Sequence, residues 1–389
     1  MEVKQIYDIV NNATKEAIGD SVLLSEDLSN IVDVGEAILN ARSLDKYVNA
    51  LVDHIGKVIF VNRKYNGDAP KVLRDGWEYG AVLEKIASEM PEAVENESWE
   101  LEDGASYDPN VFIRPKVNAK FFNKRTAFEI DRSITDRQAR SGFSGAEQLA
   151  AFISMLFNEV DKSATVKTSE IVRRCINNFT AQTIADYLNT PDAAYSGAGN
   201  NRCVNLLSRY NTQYSKSLTA ANCIYDPEFI RYAAYIMGIY RSRMRTMSKL
   251  FNMGGMARFT PSEYLHFVLL GDFKAAADVF LQSETFHNSF VKLPESETVS
   301  YWQGEGESYS FSDISAIKCV TASGASVDAG GILGVMFDHD ALGVCNPDRR
   351  VTTNYNPKAE FTNYFYKFDA QYFNDFNENF VVFYVANAA

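Results

Sequence analysis

The chain has 389 residues, of which 46% are hydrophobic and 23% charged, and its formal net charge is -12. That composition excludes a disordered chain, and the acidic balance argues against a protein that grips nucleic acid by its phosphates, which requires an excess of Lys and Arg. The length fits one large domain or two to three lobes, and the 26 Phe and 21 Tyr favour strands and contact surfaces over a helical bundle.

Apolar residues recur at helical spacing over residues 3–19 (Val3, Ile6, Ile9, Val10, Ala13, Ala17), then over 31–38 and 44–55. These predict short helices joined by polar turns. Gly56 ends the third, and Val58-Ile59-Phe60-Val61 begins an extended run. Asn66-Gly67 and Asp75-Gly76 mark turns, and a short helix is expected over Ala81–Met90. Acids then dominate: Glu84, Glu89, Glu92, Glu95, Glu97, Glu100, Glu102, Asp103 and Asp108 stand against the single Lys85. The next stretch reverses sign, with Arg114, Lys116, Lys120, Lys124 and Arg125, then Arg132, Arg137 and Arg140. Residues 116–121 alternate, placing Val117, Ala119 and Phe121 on one face of a half-solvated strand and Lys116, Asn118 and Lys120 on the other. Two strand-like arms around a charged, turn-rich stretch predict a long projecting hairpin. Its large apolar residues are too few to fold on itself, so it is expected to lie on a neighbour. A solvated surface excursion is the alternative.

Residues 144–180 carry the strongest helix signal. Ser144-Gly145-Ala146-Glu147 has capping-box spacing. Behind it come Leu149, Phe152, Ile153, Leu156, Phe157 and Val160, then Ile171, Val172, Cys175, Ile176 and Phe179. The pattern fits one helix roughly 50 Å long at 1.5 Å per residue, or two broken near Ala164–Thr168. Residues 191–224 are polar and turn-rich. Residues 226–251 predict a helix that grows basic toward its C-terminal end through Arg231, Arg241, Arg243, Arg245 and Lys249. Those cations complement the helix dipole, and a nucleic-acid patch is the sharper alternative. Residues 264–270 predict a buried strand, bounded by Gly271, that feeds an amphipathic helix through Phe280. Ile314–Val320 and Ile332–Phe337 read as further strands. In the tail, Tyr364, Tyr366 and Phe368 alternate, and residues 380–385 form a continuous apolar run expected of a fully buried strand.

Reactive groups do not converge. The cysteines are Cys175, Cys203, Cys223, Cys319 and Cys345, odd in number and without Cys-x-x-Cys spacing, so neither a disulfide framework nor a zinc ribbon is expected. Cys175 falls on an apolar stripe and is expected to pack in a core. His54, His266, His287 and His339 are few for an enzyme. The cluster Asp338-His339-Asp340, with Cys345 nearby, offers oxygen and imidazole ligands. Its apolar flanks favour a tight hairpin turn whose Asp residues bond local backbone N–H groups. No catalytic residue, cofactor or metal is expected. Residues 1–20 lack the apolar core of an export signal, and no apolar run approaches the roughly 20 residues that cross a bilayer, so no membrane is expected.

The order of these segments resembles the Hong Kong 97-type major capsid proteins of tailed bacteriophages, in particular those of small podophages. The resemblance rests on Asn30–Leu39 continuing through Leu51–Val58, on Gly80–Met90 and Phe121–Ile130, on the helix from Gly145, and on Gly334–Asp340 followed by Asn363–Tyr366. It is diffuse but collinear. It implies an α+β fold with an N-terminal arm (1–55) and an extended E-loop hairpin (56–128). A P-domain with a long spine helix and β-strands (129–190 and 345–389) and an A-domain with a central sheet flanked by helices (191–344) complete it. It implies a non-enzymatic subunit that self-assembles into pentamers and hexamers of an icosahedral shell. The shell would be built in the host cytoplasm and enclose double-stranded DNA without sequence-specific binding. Expected partners are further copies, a separate scaffolding protein, a portal, and minor capsid or head-fibre proteins. The charge reversal makes Glu92, Glu95, Glu97, Glu100, Glu102, Asp103, Arg114, Lys116, Lys120, Lys124 and Arg125 candidate inter-subunit contacts. An encapsulin-like compartment of the same fold and a metal-dependent hydrolase centred on Asp338, His339 and Asp340 are the alternatives.

Overall fold

The computed structural model describes residues 3–18, 34, 37, 70, 72, 83–91, 93, 103–104, 110, 112–135, 146–282, 295–304 and 308–387. Of the expected helix over 31–38 only Val34 and Ala37 are described, and both are helical; the expected helix over 44–55, the extended run at 58–61 and the Ser144 cap lie outside the described residues. The fold is α+β, and the chain divides into two compact units.

The first unit comprises residues 1–67, 125–171 and 345–371. Helix α1 (Val3–Ile18) buries Val10 and Ala13, as its spacing predicts, and the Thr14 hydroxyl donates to the Val10 carbonyl at 2.8 Å. Strands β3 (Arg125–Thr135), β10 (Leu342–Asn356) and β11 (Phe361–Asn374) form a three-stranded sheet in the order β10-β11-β3. The tail alternation holds: Tyr364, Tyr366 and Phe368 are buried, and Phe368 stacks on Phe128 of β3 with centroids 5.0 Å apart.

Helix α2 (Ala146–Leu188) is continuous for 43 residues, about 64 Å at 1.5 Å per residue. The break considered near Ala164–Thr168 does not occur. Thr168 and Ser169 are buried there, and their hydroxyls donate back to the carbonyls of Ala164 (2.8 Å) and Thr165 (2.9 Å). Bonded this way, side chains that compete for backbone groups remain inside the helix.

The second unit comprises residues 68–124, 172–344 and 372–389. Its core is a five-stranded sheet of β4 (Cys203–Asn205), β5 (Leu265–Leu270), β6 (Glu297–Val299), β9 (Ile332–Asp338) and β12 (Phe380–Tyr384), ordered β4-β12-β9-β5-β6. Strands β9 and β12 are buried along their whole length, which is why they read as unbroken apolar runs. Although β12 closely follows β10 and β11 in sequence, it pairs in this other sheet, between β4 and β9. A Cβ added at Gly334 would lie 2.6 Å from Leu269 Cδ2 and 2.8 Å from the Val268 carbonyl, so glycine lets β9 approach β5.

Short segments complete this unit. Helix α3 (Leu206–Tyr214) is capped by Asn205, whose side chain accepts from the Ser208 N–H, and it lies inside the stretch read only as turn-rich. Helix α4 (Pro227–Met244) starts with Pro227 behind the cap Asp226, which accepts from the Phe229 N–H at 2.9 Å. Helix α5 (Gly271–Gln282) follows β5 as expected, α6 (Phe311–Ile314) is a single turn, and β7 (Ile317–Val320) pairs with β8 (Ser326–Ala329). Phe179 of α2 stacks on Phe380 of β12 with centroids 4.0 Å apart, and Cys175 is buried beside it on the same helix face, its thiol pushed up to about 12 by burial.

Candidate interaction surface

The helix expected over Ala81–Met90 is instead strand β1 (Leu83–Ser88), antiparallel to β2 (Val117–Phe122). Ala, Leu, Glu and Lys favour helix locally, but the cross-strand partner overrides that weak preference. Leu83, Lys85 and Ala87 oppose Phe122, Lys120 and Asn118 on one face of the ribbon. Glu84, Ile86 and Ser88 oppose Phe121, Ala119 and Val117 on the other.

The sidedness of β2 is the reverse of the simple amphipathic expectation. Val117 and Phe121, expected on the buried side, are 54% and 65% exposed, and Ile86 beside them is 65% exposed. Lys120 points inward. Lys85 and Lys120 are direct partners in the ladder, a like-charge arrangement that is unfavourable by itself. Asp375 resolves it. One carboxylate oxygen lies 2.9 Å from Lys85 Nζ and the other 2.9 Å from Lys120 Nζ.

The surroundings hold that carboxylate. Its oxygen accepts from the Asn377 N–H at 3.1 Å, and the Asp375 N–H donates to the Ala341 carbonyl at 2.7 Å. Lys85 also donates to Glu378 Oε1 at 2.7 Å and to the Asp340 carbonyl at 3.1 Å, and Arg258 lies 3.4 Å from Glu378. Phe122 packs on Phe373 with centroids 5.2 Å apart. Burial raises the Asp375 carboxyl, but the hydrogen bond and charge of Lys85, the Lys120 bond and the Asn377 N–H outweigh it. The net displacement is below the ordinary carboxylate range.

The ribbon therefore has two unlike faces. The inner one is fixed by a charge cluster, and the outer one exposes Ile86, Val117 and Phe121 beside Glu84 and Ser88. Met90, Phe112 and Ile113, at the ends of the ribbon, are also exposed. Scattered apolar residues on a surface are ordinary, but a contiguous group marks a contact site.

Of the predicted contact residues, Glu92, Glu95, Glu97, Glu100 and Glu102 lie outside the described residues. Asp103 sits exposed in a turn, and Arg114, Lys124 and Arg125 are exposed. Lys116 is exposed, 3.9 Å from Glu89. Lys120 is spoken for within its own chain. Asp375 and Glu378 were not among the candidates; the one trace of them in the sequence is the solitary Lys85 in an acidic stretch.

The Asp338-His339-Asp340 cluster is a tight turn but not a hairpin, because β9 pairs with β12 and β5 while β10 pairs with β11. Asp338 accepts from the Thr260 hydroxyl at 2.7 Å and from the Asp340 N–H at 2.8 Å. His339 Nδ1 lies 2.9 Å from His266 Nε2, and His266 Nδ1 lies 2.9 Å from Glu297. Among the described residues, no group of His, Cys, Asp or Glu is arranged to hold a metal ion, and no helix is long and apolar enough to cross a membrane.

A family model described as "Phi29-like phage major capsid protein" matches residues 8–384. The chain belongs to that family. Two capsid-protein relatives are the major capsid proteins of Bacillus phage PZA, 25% identical over 183 residues, and of Bacillus phage GA-1, 26% identical over 186 residues. Each match covers 46% of this chain and, respectively, 39% and 37% of the relative, so the chain spans about two-fifths of the length of the relatives it matches. Among solved structures, a chain from the capsid of Staphylococcus phage Andhra aligns over 83% of this chain and 86% of its own, at 8% identity and a TM-score of 0.46. The family match runs through both the ribbon and the residues that anchor it.

Proposed function

We propose that the chain is the repeating subunit of a phage head, self-assembling through pentamers and hexamers into an icosahedral shell around a double-stranded DNA genome. The family match over residues 8–384 carries this reading. The ribbon supports it: Ile86, Val117 and Phe121 are exposed on its outer face, and a second copy would cover them. The role is structural rather than catalytic, and the protein belongs in the virion.

On this reading the fold is of the Hong Kong 97 type. Residues 1–55 form the N-terminal arm, 56–128 the E-loop that contains the β1–β2 ribbon, 129–190 and 345–389 the P-domain, and 191–344 the A-domain, whose sheet also takes in β12. A scaffolding protein and a portal join assembly. The phage family favours a viral shell over an encapsulin-like compartment, and the satisfied Asp338 carboxylate counts against a hydrolase centred there.

The test is expression of the chain alone and with its genomic neighbours, followed by sedimentation and negative-stain microscopy. Closed shells of uniform diameter are expected. A protein that stays monomeric under every condition, including with its scaffold, overturns the reading.

A further inference from the structure

Residues 229–262 contain no Asp or Glu, in a chain whose net charge is -12. They do contain Arg231, Arg241, Arg243, Arg245, Lys249 and Arg258. Arg258 is tied to Glu378. Arg241, Arg243, Arg245 and Lys249 cluster at and just beyond the C-terminal end of α4, where Arg243, Arg245 and Lys249 are exposed and Arg241 half-buried. None of these four forms an ion pair among the described residues. The helix dipole accounts for Arg241 and Arg243, which lie in the last turn. It extends to Arg245, the C-cap residue, but not to Lys249 beyond it, because the effect dies within one turn. Exposed Met247 and Leu250 interleave with the cations. Arg and Met with depleted acids is the composition of a protein contact surface.

The same chain carries the complementary charge. Glu92, Glu95, Glu97, Glu100, Glu102 and Asp103 follow one another with no Lys or Arg between them. The nearest cation upstream, Lys85, is committed to Asp375 and Glu378. We propose that the cationic end of α4 receives the acidic stretch 92–103 of a second copy of this chain. The inference rests on the shell-subunit reading and names one contact within it. A protein partner fits better than DNA: four cations within an acidic molecule neutralise few phosphates, and the acid run offers charges of opposite sign in excess of those four on the same polypeptide. Such charges set the register and orientation of docking more than its strength.

The experiment is a charge swap in the full chain, read by shell yield in sedimentation and microscopy. R241E/R243E/R245E and E95K/E97K/E100K should each lower the yield about tenfold or more, since like charges then meet. Both sets in one chain should restore it. R243Q/R245Q/K249Q, confined to exposed positions, should give an intermediate loss without altering the unfolding midpoint. The pairing is overturned if the combined variant assembles no better than either parent while the wild type forms shells. It is also overturned if the arginine variants assemble normally but enclose less DNA, which would assign the patch to nucleic acid. Failure of the wild type to form shells removes the parent reading and this one together.

Discussion

Lys85 and Lys120 face each other directly across the β1–β2 ladder, and Asp375 places one carboxylate oxygen on each. One buried anion thus joins both strands of the ribbon to the body of the second unit. Removing it would leave two opposed ammonium groups with Glu378, on the Lys85 side, as the remaining anion.

Asp375→Asn is therefore expected to destabilise the ribbon by about 3 kcal/mol, the scale for breaking a buried pair from one side, reduced somewhat because Lys120 is partly exposed. Hydrogen exchange should quicken across 83–88 and 117–122 and stay slow in β9 and β12. Adding Lys120→Met should recover part of the loss, because repulsion is then gone. If the double variant exchanges as fast as Asp375→Asn alone, like-charge opposition is not what the anion relieves.

The pH dependence has a definite sign. The folded Asp375 carboxyl lies below its ordinary value, so its contribution is complete above the unfolded pKa of about 4 and is lost as pH falls through the folded value. Wild type and Asp375→Asn should differ most near neutrality and converge in strong acid. Chemical denaturation at a series of pH values measures this, and a gap that widens on acidification would contradict it.

Ile86→Ser with Phe121→Ser should change subunit stability by no more than about 0.5 kcal/mol, as expected for exposed positions. Shell formation should fall sharply. Normal shells from this variant would show that the outer face contacts nothing in the assembly.

Gly334→Ala should cost about 1–3 kcal/mol by overpacking, since the new methyl would meet a leucine side chain and a backbone carbonyl at once. Phe179→Ala should cost about 3–5 kcal/mol by opening a cavity against Phe380. Thermal unfolding checks both, and wild-type midpoints would refute the packing described for this core.

Much of the architecture was legible because single segments carried it. The apolar runs of β9 and β12 announce strands buried on both faces, and the steps from Val160 through Phe179 announce α2. Residues 81–90 misled because their helix-forming composition is a local signal, whereas their strand state comes from pairing with β2. The alternation at 116–121 gave the period but not the side that faces inward. That side is set by Asp375, 255 residues from Lys120, and by Glu378, 293 residues from Lys85. No local pattern encodes partners so distant. The α4 cluster was visible as charge; that Arg241, Arg243, Arg245 and Lys249 form no ion pair among the described residues required the structure.

The place of β12 in its sheet has a consequence for synthesis. It lies between β4 and β9, so the sheet holds a gap until Phe380–Tyr384 have left the ribosome. A nascent chain therefore cannot close this core early: β4 and β9 must wait unpaired at that position for the strand between them to emerge.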